Sequence, residues 1–274
     1  MSRLKGEKGS AVSVEVLRGT EHLKFDITRG EVPISSVQCA TIIENEIGYL
    51  KITRFAKKTA GEFRKAIDQL QRNGMKKLIV DVRDNPGGLM EAVVRICEEF
   101  LEDDKMIVYT KGRKDSEEYK SSGQGKLVDI PLYILINQGS ASASEILAGA
   151  MQDNDRATII GRRSFGKGLV QRPFLLKDGS SLRLTIARYY TPVGRCIQKE
   201  YRKDKEDYYN EHYLRLTNGE LTSKDSIPVH DSLKFYTPKG KLVYGGGGII
   251  PDEFVPIDTN FRSTGLKELR QLSL

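Results

Sequence analysis

Residues 130–151 read IPLYILINQGSASASEILAGAM. Ile130 to Asn137 is a short apolar run of the kind found in a strand covered on both faces. Asn137-Gln138-Gly139-Ser140 breaks the run as a turn, and the Ala- and Leu-rich residues that follow predict a helix. A buried strand feeding a helix is half of a βαβ unit, which implies a largely parallel sheet with right-handed crossovers. KKLIVDVR (76–83) repeats the strand, Asn85-Pro86-Gly87-Gly88 the turn, and Leu89, Val93, Ile96, Cys97 and Phe100 the helical spacing.

IGYLKITRF (47–55) reads as a strand. Thr59-x-x-Glu62 has the form of a capping box, opening a helix through Phe63, Ala66, Ile67 and Leu70 that stops at Gly74. RATII (156–160) is a further strand. Segments 169–176 and 181–190 flank Lys177-Asp178-Gly179-Ser180, a hairpin signal. AVSVEVLR (11–18) and HLKFDITR (22–29) alternate as two strands around Gly19-Thr20-Glu21. A lone hairpin is marginal in water, so this one is expected to pack on something before Pro33 opens the link onward. Tyr244 to Gly248 reads as a turn or close approach. Residues 200–240 are polar and Tyr-rich and carry no readable period, and no internal repeat is visible. The fold class is α/β.

The chain has 274 residues, with 44 Lys and Arg against 37 Asp and Glu, a net charge of +7. The charges are interleaved, as in KEYRKDKED (199–207), which describes a mixed solvated surface and no nucleic-acid partner. The longest apolar stretch, Ile130 to Ile136, is seven residues. A membrane span needs about 20, so no integral membrane segment is expected. MSRLKGEKGS has no apolar core, so no signal peptide is visible. Cys39, Cys97 and Cys196 are few and far apart, which excludes a full disulfide framework and argues against a metal site. Cys97 sits on an apolar helix face and reads as a small hydrophobe.

The serines of Gly139-Ser140-Ala141-Ser142-Ala143-Ser144 stand where a strand enters a helix. Backbone N–H groups are free there and the helix dipole favours negative charge. That suits a nucleophile whose attack creates an oxyanion, and it equally suits a helix cap. The three histidines, His22, His212 and His230, lack any context linking them to these serines. A lysine can replace histidine as base when it is neutral. Lys167, between Gly166 and Gly168 and beside Phe165, Leu169 and Val170, is the candidate; the plainer reading is a surface turn lysine.

Gly161 to Lys167 also fits G-x-x-x-x-G-K of a phosphate loop. Gly168 stands where a Ser or Thr should hold magnesium, and no helix is predicted to follow. Ser164-x-x-Lys167 matches S-x-x-K, but glycine breaks the helix that motif needs and no K-T-G follows.

VDVRDNPGGL (80–89), GSASASEILAGA (139–150), SFGKGLVQ (164–171), YTPVGRCIQ (190–198) and YGGGGIIPD (244–252) together resemble the carboxyl-terminal processing, or tail-specific, proteases. The resemblance covers residues 30–258 in order and spacing. It implies a crotonase/Clp-like ββα core with a mostly parallel sheet, and a serine–lysine mechanism that needs no cofactor or metal. Ser142 matches the nucleophile and Lys167 the general base, 25 residues on. Gln171 matches the residue that orients the lysine. Asp153 matches an aspartate implicated in some members, and a structural helix-end carboxylate is an equal reading. Ala143 and Gly88 match the oxyanion-hole donors, with Gly87 in reserve. In a strand, residues 167 and 171 lie about 13 Å apart, so a direct Gln171–Lys167 bond requires a curled chain.

The resemblance also implies polypeptide substrates with accessible C-termini, an extracytoplasmic location in periplasm or cell envelope, and homo-oligomers in full-length forms. Residues 1–30 resemble a partial PDZ edge, its last two strands. Residues 31–258 are the protease core, and 259–274 a shortened C-terminal segment. Against an endopeptidase stand a non-proteolytic peptide-binding or scaffold member, a phosphate-binding enzyme and, by fold analogy alone, an acyl-CoA enzyme of the crotonase type.

Overall fold

A computed structural model describes residues 4–31, 34–113, 116–200, 208, 211 and 214–258. Pro33, His212 and the segment 259–274 lie outside the described residues. The chain divides into two compact units, residues 1–35 and 36–274. In the first, β1 (Ala11–Arg18) and β2 (Glu21–Thr28) pair antiparallel from Ala11 opposite Thr28 to Arg18 opposite Glu21. Val12 and Val14 are half-buried, while Leu17, Phe25 and Ile27 are exposed.

The second unit is built on a mixed sheet. β3 (Val37–Ile43) and β4 (Ile47–Ile52) form an antiparallel edge pair. β5 (Lys77–Asp81) joins β4 in parallel. β8 (Leu132–Ile136), β9 (Thr158–Gly161) and β14 (Glu253–Phe254) extend the sheet in parallel, in the order β14-β9-β8-β5-β4-β3. The central positions Leu50, Ile52, Leu78, Val80 and Ile134 are fully buried, as the uninterrupted apolar runs require.

Three helices connect these strands: α1 (Thr59–Arg72), α2 (Met90–Glu98) and α3 (Ala143–Asp153). A second sheet, antiparallel, has the order β10-β11-β6-β7. Its strands are β6 (Asp103–Gly112), β7 (Ser116–Ser122), β10 (Leu169–Leu175) and β11 (Ser181–Tyr190). α3 touches β9 of the first sheet and β6 of the second. All its residues are buried, the condition under which a helix can be apolar on every side.

The parallel sheet, the three helices and the 169–190 hairpin stand where the sequence puts them. β3, β6, β7, β12 (Lys234–Tyr236), β13 (Leu242–Tyr244) and β14 carry no strand signal in the sequence reading, and most of the strand pairings are antiparallel. The predicted capping box at Thr59 does not form. Glu62 accepts from the Ser36 N–H at 2.7 Å, and Thr59 Oγ1 accepts from the Ala56 N–H at 2.7 Å and donates to Ser36 Oγ at 2.8 Å. Both side chains tie the entry of β3 to the helix in place of capping it. Gly74 follows the helix with φ +86°, the left-handed turn a helix end favours. Cys97 is free and fully buried, and burial pushes its thiol up. Between residues 214 and 245 the described chain is helical at 214–217 and then forms two short turns and a small hairpin, β12 with β13.

Phe63 of α1 and Phe100 after α2 meet edge to face, centroids 5.8 Å apart, and both are fully buried. Phe63→Ala should lower stability by about 3–5 kcal/mol in urea unfolding. Leu175→Ala, at a position 84% exposed, should change it by less than about 0.5 kcal/mol.

Candidate active site

Ser142 stands at the junction of β8 and α3, with φ +56° and ψ −114°. A non-glycine residue in that region is strained by roughly 1–3 kcal/mol, so its surroundings must hold it. The turn is anchored to the NPGG loop. Asn137 Nδ2 donates to Asp84 Oδ1 at 2.8 Å, and the Ala141 N–H and Ser144 Oγ donate to the Asn85 carbonyl at 3.0 and 2.9 Å. Ser140 Oγ donates to the Val82 carbonyl at 2.7 Å.

The two glycines of that loop differ. The Gly87 N–H donates to Asn85 Oδ1 at 2.9 Å. A Cβ on Gly87 would lie 2.7 Å from Ser142 Cβ, so only glycine admits the serine there. Gly88, with φ +147°, is docked on Phe55; a Cβ would lie 2.0 Å from the Phe55 carbonyl oxygen. Among the described residues, neither the Gly88 nor the Ala143 N–H donates to a protein acceptor.

The lysine loop reaches the serine turn through Glu145, which is fully buried. Its Oε2 accepts from the N–H groups of Ser142 and Lys167, both at 2.8 Å. Its Oε1 accepts from the Gly166 N–H and from Ser164 Oγ, both at 2.6 Å. Tyr189 makes a second bridge: its hydroxyl lies 3.1 Å from the Ser142 carbonyl and in contact with that of Lys167. Burial pushes the Tyr189 hydroxyl well above its usual value, so it stays a neutral donor. Neither residue was singled out from the sequence. The Ser142-x-x-Glu145 spacing is a capping signature that could have found the carboxylate.

The same loop is braced from outside. Phe165 N–H donates to the Ser140 carbonyl at 2.9 Å, Lys199 N–H to Gly166 at 3.0 Å and Gly168 N–H to Gln198 Oε1 at 2.9 Å. Ile249 N–H donates to Ser164 Oγ at 2.7 Å, and Arg215 donates to the Ser164 carbonyl at 2.8 Å.

Ser142, Lys167, Gln171, Gly87, Gly88 and Ala143 line one cavity of about 550 Å³, together with Phe55, Leu89, Met90, Ile146 and Leu169. The structure therefore brings the predicted nucleophile, base and donors together. No hydrogen bond joins the Ser142 hydroxyl to the Lys167 amine, and the Gln171 side chain makes none among the described residues. Gln171 lies in extended β10, where the pairing slips between Val170 and Gln171. The chain is bulged there and not curled, so the direct Gln171–Lys167 bond is absent.

Asp153 is placed elsewhere. It ends α3, does not line this cavity, and pairs with Arg195, both fully buried. Its Oδ2 also accepts from the Val193 N–H at 3.2 Å. An acid at a helix C-terminus opposes the dipole, and the guanidinium compensates. Gly161 to Lys167 leads into a strand, not the helix of a phosphate loop.

The model of peptidase family S41 matches residues 46–206. The carboxyl-terminal-processing protease of Picosynechococcus sp. is 40% identical over 203 residues, 72% of this chain and 49% of that protein. The carboxy-terminal processing protease CtpA of Bacillus subtilis is 36% identical over 198 residues, 72% of this chain and 42% of that one. The solved photosystem II D1 C-terminal processing protease superposes with a TM-score of 0.54 at 33% identity, covering 70% of this chain and 54% of that chain. The chain spans about half the length of the curated relatives it matches.

Asp153→Ala should cost about 3–5 kcal/mol, because it strands a buried guanidinium; urea unfolding measures it. Burial pushes the Glu145 carboxyl above its ordinary value, against the pull of its four donors. Three of those donors are backbone N–H groups, which cannot become acceptors. A proton on Glu145 therefore either displaces one of these bonds or turns the Ser164 hydroxyl from donor to acceptor. Because the folded value lies above the unfolded one, this group's contribution to stability grows as pH falls through the folded value and fades as pH rises through it. The amide resonances of Ser142, Gly166 and Lys167 should titrate together above the ordinary glutamate range, and Glu145→Gln should abolish that titration.

Proposed function

The chain belongs to peptidase family S41, and from that premise we propose that it is the core of a serine endopeptidase that cleaves polypeptides near their C-termini through a Ser142–Lys167 dyad. The observation that carries this reading is the shared cavity. A hydroxyl, an amine and two undonated N–H groups, those of Gly88 and Ala143, line one space beside an apolar wall.

Neutral Lys167 takes the Ser142 proton as the serine oxygen bonds to the peptide carbonyl carbon. The carbonyl oxygen gains the electron pair, and the Gly88 and Ala143 N–H groups receive it. The C–N bond breaks, and the lysinium gives its proton to the leaving amine. Water then attacks the ester with Lys167 again as base, freeing the acid and restoring Ser142. The Ser142 hydroxyl and Lys167 amine are not hydrogen-bonded in the free protein; such contacts often close only when substrate is bound. Gln171, on the same cavity wall, positions the lysine after that closure. Asp153 supports the helix through Arg195 and has no part in the chemistry.

The α/β body corresponds on this reading to a crotonase/Clp-like core, and the 11–28 hairpin to an edge of a PDZ domain. The relatives named as processing proteases support substrates with accessible C-termini. By the same family likeness the protein works outside the cytoplasm, and no described helix is long and apolar enough to cross a membrane.

Ser142→Ala and Lys167→Ala should each remove peptide hydrolysis, by at least about 10³-fold, with the unfolding midpoint kept. Both variants should also lose labelling by a fluorophosphonate, Ser142→Ala because the oxygen that is phosphonylated is gone and Lys167→Ala because the serine has lost its base. Full hydrolysis in either variant sinks the dyad. A wild-type protein that neither hydrolyses nor labels leaves the peptide-binding member in its place.

A further inference from the structure

A second and larger cleft, about 1300 Å³, opens beside Lys167 and does not include Ser142. It shares Pro86, Lys167, Leu169 and Gln171 with the serine cavity and adds Thr185, Arg188 and Gln198 among others. The charged and titratable groups on its wall are Lys167, Arg188, Lys199, Glu200, Tyr208 and His230. Lys199 is matched by Glu211 at 2.5 Å and lies 4.2 and 4.1 Å from the ring centroids of Phe165 and Tyr208. Lys167 must be neutral to act as a base. Arg188 is exposed, and its guanidinium makes no hydrogen bond or ion pair among the described residues.

The sheet gives Arg188 no support. Its cross-strand partner on β6 is Lys111 and on β10 Leu169. Like charges directly opposite each other weaken a sheet. Lys111 is drawn instead over the stacked rings of Tyr109 and Tyr190, 5.2 and 5.5 Å from their centroids. A bidentate cation is thus held open over the cleft at a position where stability does not ask for one.

We propose that Arg188 binds a carboxylate of the leaving peptide. The inference rests on the Ser142–Lys167 reading. Lys167 hands its proton to the departing amine, so the leaving segment starts beside Lys167, and the larger cleft, which Lys167 also lines, is the space that continues from there to Arg188. That segment ends in a carboxylate, and a guanidinium takes a carboxylate through two parallel hydrogen bonds. A cation at this place favours short tails, whose end reaches Arg188 while the scissile bond lies at Ser142. A carboxylate side chain in the tail offers the same chemistry.

The test uses one short Ala- and Leu-rich peptide in three forms: free acid, C-terminal amide, and amide with a penultimate Asp. The wild-type protein should cleave the acid about tenfold faster in kcat/KM than the plain amide, the scale of one charge-assisted bond. In Arg188→Gln the acid-to-amide ratio should approach one, and in Arg188→Lys it should be intermediate. Full recovery with the Asp-bearing amide assigns the site to any carboxylate of the tail; no recovery assigns it to the terminus. A wild-type ratio of one, or a ratio unchanged in Arg188→Gln, overturns the inference. Binding of the three peptides to the Ser142→Ala protein, read by fluorescence anisotropy, separates the two readings. Absent hydrolysis with a preserved acid-to-amide affinity ratio that Arg188→Gln removes overturns the dyad alone. Equal affinities overturn the role of Arg188.

Discussion

One buried carboxylate holds two loops in register. Glu145 accepts four hydrogen bonds, two from the segment that carries Lys167, one from Ser142 and one from Ser164. Loop backbone taken away from water must find partners or cost roughly 1–3 kcal/mol for each group left bare. A single carboxylate meets that demand for both loops at once, so serine and lysine are placed relative to one common point. Glu145 in turn is placed by α3, whose entire length is buried between the two sheets. The chain of dependence runs from the burial of a helix, through one side chain, to the strained backbone of Ser142.

The remaining segments converge because that point needs walls. Asn85 accepts from the serine turn and fixes Gly87 with its own side chain. Gln198 takes the Gly168 N–H, and Ile249 returns a donor to Ser164, so two distant segments close over the lysine loop. Behind it, Arg163 pairs with Glu220 at 2.7 Å, and Arg215 reaches the Ser164 and Phe165 carbonyls; all three charged side chains are buried. Buried pairs add little net stability, but breaking one is costly. They fix a conformation more than they strengthen it.

This explains what the sequence could disclose. The strands around Val80 and Ile134 are apolar on both faces, so their burial is written into single short runs. β6 and β7, DDKMIVYTKG and SEEYKSS, are charged or polar at their exposed positions and alternate only in part. Their pairing depends on residues far away in the chain. The family likeness was legible only as a pattern of five blocks, because each block alone has a plainer use as cap or turn. The capping spacing forms no cap at Thr59-x-x-Glu62 and does form one at Ser142-x-x-Glu145. Spacing names an acceptor within reach of a helix start; it cannot say whether a neighbouring strand or loop supplies a better donor. Near Thr59 the donors came from Ser36 and Val37. Near Ser142 they came from the cap itself and from a loop about twenty residues on. Tyr189 had no local signal, since alternation along a strand does not show which carbonyls a buried phenol will meet.

The glycine pair shows how far such an argument can go when conformation and donor use are read together. Both glycines have positive φ, and both lie against backbone too closely for a side chain. That alone would make them interchangeable. Their N–H groups separate them. Gly87 gives its proton to Asn85 and its empty side to Ser142. Gly88 rests on Phe55, which is fixed from both sides, since the Phe55 N–H donates to Gly87 at 2.9 Å and its carbonyl accepts from Leu89 at 2.7 Å. A parallel bridge of this kind leaves the N–H of Gly88 outside the ladder, on the wall it shares with Ala143. If an oxyanion forms on a carbonyl attacked by Ser142, Gly88 has the proton to offer and Gly87 has already spent its own.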